Sequence, residues 1–389
     1  MLVKLLSVHV PTIRRLSIEV DSSCGFQQIL KDTKSKCEPD KQPFASLEEL
    51  YVEYQDEQWG FDLNDIAALV AAPSLANIQL YQVQGMANPS SLLTNNSVKS
   101  LTFTRSCLDE DGILHVIRAF PNLKSFSFHT GGATVSEGDV HECTPKQLIA
   151  ALQPVAKNLE HLMLDMAESC RWEDDEDVEA IFPIVSFKDF SALRSLSIEQ
   201  DNIFTKVGGE GDQVAGQKED LLNDFFPGTL VNLRLTHVYT DMEKPLQWLA
   251  KHIKEQLPVL EELQLDLGRE EGGDGHRPIA QHVIDPRLLK SVKKSDEASR
   301  EDEDDSEDAK GSRDYLPVSV LPGSWQLMLR TFNAADVSVK VGWVTGYYIK
   351  GADKQPFENW MDCWKYETQI ESRTTEGGKP GITIKKPKA

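Results

Sequence analysis

The sequence predicts an α/β fold in which a parallel sheet is assembled from stacked repeats, and three observations carry that reading. Apolar residues recur at spacings of three and then two in nine places: Ile13/Leu16/Ile18, Leu47/Leu50/Val52, Leu75/Ile78/Leu80, Val98/Leu101/Phe103, Leu123/Phe126/Phe128, Leu159/Leu162/Leu164, Leu193/Leu196/Ile198, Leu230/Leu233/Leu235 and Leu260/Leu263/Leu265. The first anchors are separated by 34, 28, 23, 25, 36, 34, 37 and 30 residues, which leaves room for one further element between successive strands. Several of those intervals hold apolar residues at helical spacing behind a capping residue.

The pattern L-x-x-L-x-L is the strand signature of a leucine-rich repeat. Its last two apolar residues point to one face with period two, and the first closes the turn that leads into the strand. One unit cannot bury its own apolar edge, so the units stack. The expectation is a leucine-rich-repeat solenoid over residues 1–293, a horseshoe with a concave parallel sheet, convex helices and a Trp-rich C-terminal cap.

The helices follow from the intervals. Thr144-Pro145-Lys146-Gln147 places a capping residue, a proline at the first helical position and Gln three residues after the cap. Leu148, Ile149, Leu152 and Val155 then follow at helical spacing. Residues 62–72, 109–120, 244–253 and 279–293 read as helices with weaker caps. Pro73, Pro121 and Pro258 stand between a helical stretch and the next strand, where a residue that cannot continue a helix is useful. The acidic stretch 168–179 and the Gly-rich stretch 202–220 each follow a repeat strand closely, so both should emerge near one rim as surface loops.

Residues 294–314 read as an acidic, disordered linker, with nine acids between Asp296 and Asp308 and scarcely an apolar side chain to oppose their repulsion. Residues 315–372 hold Trp325, Trp343, Trp360 and Trp364 and read as an ordered cap or small module. Within them 336–350 alternates as a strand or hairpin would, and Phe357, Trp360, Met361 and Trp364 mark one face of a helix. Residues 373–389 form a loose basic tail.

The net charge of -21 argues against nucleic acid and anionic membrane as partners, because an acidic body repels phosphate. Six cysteines without a C-x-x-C pair suit a reducing compartment, the cytoplasm or nucleus. No run has the length of a membrane span, and the start, broken by Lys4 and His9, does not read as a signal peptide. Asn95-Asn96-Ser97 matches a glycosylation sequon, which has no meaning without secretion.

Nothing in the chain assembles chemistry. The stretch Gly211 to Lys218, overlapping the Gly-rich segment 205–217, resembles a phosphate loop only at first sight: Gln217 stands where the lysine is needed, and Glu219 would meet phosphate charge. His141 with Cys143 and His276 with His282 lack a second ligand pair. The expectation is a non-enzymatic monomer with no cofactor and no metal.

The segments LEELYVEY, SVKSLTFTRSCLDEDGILHVIRAFPNLKSFSF and LEELQLDL resemble the leucine-rich-repeat region of F-box proteins, especially the irregular, long-repeat kind of filamentous fungi, over about residues 10–270. The resemblance implies that the repeats hold a protein for ubiquitination while an F-box docks a cullin-type ligase. Only twelve residues precede the first anchor, and Leu257 to Leu263 reads as the ninth repeat rather than as an F-box.

Alternation places the residues around the second and third anchors on the face away from the core. Those expected to bind another protein are Tyr51, Glu53, Gln79, Tyr81, Thr102, Thr104, Ser127, His129, Met163, Asp165, Ser197, Glu199 and Arg234.

Overall fold

The computed structural model describes residues 13–20, 44–54, 60–86, 92–130, 143–166, 186–203, 219–267, 321 and 323–343. The chain divides into two compact units, Met1–Val344 and Thr345–Ala389, and every described residue belongs to the first.

The fold is α/β, built on a ten-stranded parallel sheet whose strands lie side by side in chain order. They are β1 (Arg15–Val20), β2 (Glu49–Tyr54), β4 (Asn77–Tyr81), β6 (Ser100–Thr104), β7 (Ser125–His129), β8 (His161–Asp165), β9 (Ser195–Glu199), β10 (Asn232–Val238), β11 (Glu262–Leu267) and β12 (Ser338–Trp343). Two short strands, β3 (Phe61–Asp62) and β5 (Val83–Gly85), pair with each other. In register, Leu50 faces Ile78, Ile78 faces Leu101, Leu101 faces Phe126 and Phe126 faces Leu162, so equivalent anchors of successive repeats stack. Every anchor from Leu16 to Leu265 is buried, and Ile13 packs partly buried against the same core.

The turns into the strands repeat as closely as the strands do. The amides of the first anchors Leu47, Leu75, Leu123, Leu193, Leu230 and Leu260 each donate to the carbonyl three residues earlier. One carbonyl per repeat then accepts two consecutive amides of the next: Arg14 from Glu48 and Glu49, Glu48 from Ala76 and Asn77, and so on to Val231 from Glu261 and Glu262. The apolar anchor thus closes a turn whose backbone groups are satisfied by the neighbouring repeat, which is how a parallel stack meets its backbone demand between strands.

The helices lie in the intervals and share the core with the anchors. They are α1 (Ala67–Val70), α2 (Glu110–Ala119), α3 (Pro145–Leu152), α4 (Glu243–Gln256) and α5 (Gly323–Ala334). Asp109 caps α2 by accepting from the Gly112 amide at 2.7 Å, and a β-carbon at Gly112 would stand 2.8 Å from that carboxylate oxygen. The capping box expected at Thr144 forms, with the Thr144 amide donating to Gln147 and the Gln147 amide to Thr144 Oγ1. The Gln147 amide group then reaches Glu110 Oε2 at 2.8 Å and ties α3 to α2. Residues 62–72 depart from the single helix expected: Asp62 caps a 3-10 turn, Leu63–Ile66, and only one α-turn, α1, follows.

Beyond β11 the sheet gains one more strand, preceded by a helix. Trp325, Met328, Leu329 and Phe332 of α5 enter the core, α5 packs on α4, and β12 pairs in parallel with β11. The stretch 336–350 is expected as a strand or a hairpin; its described part, to 343, holds a single strand, Ser338–Trp343. The sequon at Asn95 also acquires a structural account. Asn95 is 6 % exposed, and its Nδ2 donates to the carbonyls of Val70 and Ala72, each at 2.8 Å. Asn95→Ala is expected to leave both carbonyls short of a buried donor and to cost about 1–3 kcal/mol in chemical unfolding, whereas the more exposed Asn96 tolerates the change.

Residues 168–179, 204–218, 279–293, 294–314, 344–372 and 373–389 lie outside the described residues, as do Cys24, Cys37, Cys170, Cys363, His141, His276 and His282. Among the described residues no helix is long and apolar enough to cross a membrane, and no group of three or more His, Cys, Asp or Glu side chains is placed to hold a metal ion.

Candidate functional site

The parallel register brings the thirteen residues singled out in the sequence into two rows on the face away from the anchors. Tyr51, Gln79, Thr102, Ser127, Met163, Ser197 and Arg234 pair in succession across seven strands. One turn of the pleat onward, Glu53 pairs with Tyr81, Tyr81 with Thr104, and His129 with Asp165, while Glu199 pairs with Thr236.

Burial divides these rows. Tyr51, Glu53, Gln79, Tyr81, Thr104 and Ser127 are partly accessible, and all but Ser127 lie on β2, β4 and β6. The Tyr51 hydroxyl donates to Glu53 Oε2 at 2.8 Å. Burial, then the hydrogen bond and charge of Glu53, push the Tyr51 phenol well above its ordinary range, so it stays a donor. Arg105 sets its guanidinium carbon 5.8 Å from the centre of the Tyr81 ring, in cation–π range. The backbone at Arg105 is left-handed, with φ 46°, which turns the chain out of β6. Arg105 was not among the residues the pattern selected, because it follows the strand rather than lying in it.

Thr102, His129, Met163, Asp165, Ser197 and Glu199 are buried, which removes them from a surface that a partner meets directly. Glu199 is 0 % exposed. Its Oε2 accepts the Met166 amide at 2.7 Å, and its Oε1 lies 3.1 Å from Nδ1 of His237, out of line for a hydrogen bond. Burial pushes the Glu199 carboxyl up, the neighbouring Asp165 charge adds to this, and the His237 ring pulls back; the net position is about 8. For His237 burial works downward, but Glu199, Asp165 and Asp201 together outweigh it and hold the imidazole above its usual value. At the far end of the row His129 Nε2 is 3.4 Å from Asp165 Oδ2.

Arg234 is also committed within the fold. Its Nε donates to Asp266 Oδ2 at 2.7 Å, Gln264 donates to the same carboxylate, and Lys340 pairs with Glu262 at 2.9 Å. These side chains join β10, β11 and β12 across the face.

His237 escaped the sequence reading for a physical reason. Strict alternation sends it to the core side, since Leu235 is an anchor and Thr236 points away. In the structure Leu235 pairs with Leu265 and Val238 with Leu267, so β10 carries one extra residue, and His237 has φ 50°. A bulge of this kind shifts the side-chain phase by one and brings the imidazole to Glu199.

No family model matches the chain, and no curated protein matches it.

Proposed function

We propose that the ten strands are successive leucine-rich repeats of one solenoid, and that the protein is a non-enzymatic scaffold binding another protein on the sheet face opposite the core. The carrying observation is the accessible cluster on β2, β4 and β6: two half-buried tyrosines on neighbouring strands, Tyr51 and Tyr81, flanked by Glu53, Gln79 and Thr104 and by Arg105 just after β6. Aromatic side chains held rigid on a sheet provide contact area at low entropic cost, and they carry a large share of the energy where they occur in interfaces. The recurring turn bonds support the repeat reading, since each repeat is satisfied by its neighbour and the face stays continuous. Under the resemblance to F-box proteins the bound protein is a ubiquitination substrate.

The test is photocrosslinking in cell extract from probes placed at Gln79 and Thr104, followed by affinity measurement with the protein so captured. Tyr51→Ala combined with Tyr81→Ala is expected to weaken binding at least tenfold, about 1.4 kcal/mol, with the thermal midpoint retained. Binding should also fall as salt rises, because Glu53 and Arg105 border the tyrosines. A folded double variant that binds as well as the parent removes the site from this part of the sheet.

A further inference from the structure

Three rows of side chains cross β1, β2 and β4 on the face away from the core: Arg15/Glu49/Asn77, Ser17/Tyr51/Gln79 and Glu19/Glu53/Tyr81. Arg15 is the base in these rows, and its Nε is tied to Glu49 at 2.9 Å. The third row sets two carboxylates directly opposite each other on neighbouring strands, which lie about 4.8 Å apart. Glu19 is exposed and Glu53 partly accessible. Like charges so placed repel, and a cation seated between them removes that repulsion and gains from both.

Glu53 has an oxygen to offer. Its Oε2 accepts from the Tyr51 hydroxyl at 2.8 Å, and among the described residues no cation pairs with its carboxylate. A carboxylate held in place on one oxygen is pre-set to accept from a guanidinium or ammonium on the other, and charged hydrogen bonds of that kind are the strong ones.

Arg105 shows how such a group packs on this surface, with its guanidinium carbon 5.8 Å from the centre of the Tyr81 ring. It follows β6, on the far side of Tyr81 from Glu53. The accessible cluster therefore ends in positive charge toward β6 and in negative charge toward β1 and β2. A base on a partner is turned away from the first end and drawn to the second, and the net charge of -21 attracts it from a distance.

We propose, on the reading of Tyr51 and Tyr81 as the partner site, that Glu19, Glu53 and Tyr51 receive an arginine or lysine of the bound protein. The charged head lies against the two carboxylates, and the alkyl stem lies along the Tyr51 ring.

Selection of random displayed peptides on the full chain tests this. Peptides retained by the parent and lost from Tyr51→Ala combined with Tyr81→Ala should share an arginine or lysine. With that residue replaced by citrulline or norleucine, which lack the charge, the synthetic peptides should bind the parent at least tenfold more weakly. Glu19→Gln combined with Glu53→Gln should weaken the unmodified peptides to the same degree and leave the neutral ones little changed, the mark of a direct pair. The neutral peptides need no change in the protein, so they decide alone if that double variant does not fold. Retained peptides that share no base, or that bind equally well when neutralised, overturn the inference and leave the tyrosine site standing. A shared acid whose binding is lost in Arg105→Ala overturns it in favour of an acidic partner. Recovery of no peptide, or of peptides held equally by the tyrosine double variant, removes the tyrosine site and this inference together.

Discussion

Replacing Phe103 by alanine is expected to cost about 3–5 kcal/mol in equilibrium unfolding, among the largest effects of any single truncation in this core. Phe103 is 0 % exposed and is the third anchor of its repeat. Its ring meets Phe126 at 6.2 Å and Phe128 at 5.9 Å, both edge to face, while Phe126 and Phe128 stack at 6.3 Å. Val70 of α1 and Val116 of α2 line the same apolar gap as Phe103, Ile78 and Leu80. Truncation therefore removes both ring contacts to β7 and widens a gap lined from β4, α1 and α2, which the paired strands cannot close without breaking their register. Edge-to-face aromatic pairs add about 0.5–1.5 kcal/mol beyond the buried area, which separates Phe103 from aliphatic anchors. Leu162→Ala and Leu196→Ala should fall at about 2–5 kcal/mol, and Ser127→Ala, on the opposite face, within about 0.5 kcal/mol. Equal midpoints for Phe103→Ala and Ser127→Ala would show that the two faces of the sheet are assigned the wrong way round.

Much of this sheet could be read from the chain because the anchor pattern is redundant. Each of Leu162, Leu196 and Leu233 predicts the register of its neighbours, and they pair as the spacing demands. The tenth strand gave no such signal. Val339 and Val341 occupy the second and third anchor positions opposite Leu263 and Leu265, but Asp336 stands where a first anchor belongs, with φ 61°. The Val337 amide turns back to Phe332, and only Ser338 reaches the preceding repeat, so the turn is closed by backbone geometry rather than by an apolar side chain. The candidate face was legible in position and not in accessibility. Alternation says that Tyr51 and Ser197 point the same way, yet Tyr51 is half-buried and Ser197 is buried at 1 %. What covers a residue is a tertiary matter that period-two spacing does not encode. His237 lay beyond reach for a related reason: a bulge leaves no mark on a sequence whose surrounding anchors remain in phase.

Arg234→Met is expected to cost about 3–5 kcal/mol, although a surface arginine would lose almost nothing on the same change. Arg234 and Asp266 are bound through two contacts to one oxygen, Nε at 2.7 Å and Nη2 at 2.5 Å, with the Asp266 side chain 5 % exposed. Methionine keeps the length and apolar bulk of the stem, so the change isolates the charge. What remains is a buried carboxylate that accepts from the Gln264 amide, at 2.9 and 3.2 Å, and one neutral donor does not replace the solvation and the cation together. The loss should fall on the last strands. Lys340 pairs with Glu262 on the same face, and with β11 loosened by the unpaired Asp266, β12 loses the partner on which it is laid. Asp266→Asn placed on top of Arg234→Met removes the stranded charge, so the double variant should be more stable than Arg234→Met alone, with a coupling of about 1–3 kcal/mol. Chemical unfolding of the parent, both single variants and the double variant measures that coupling. Additive effects, with Arg234→Met within about 0.5 kcal/mol of the parent, would return Arg234 to the solvent-facing, partner-binding role that its place in the sequence first suggested.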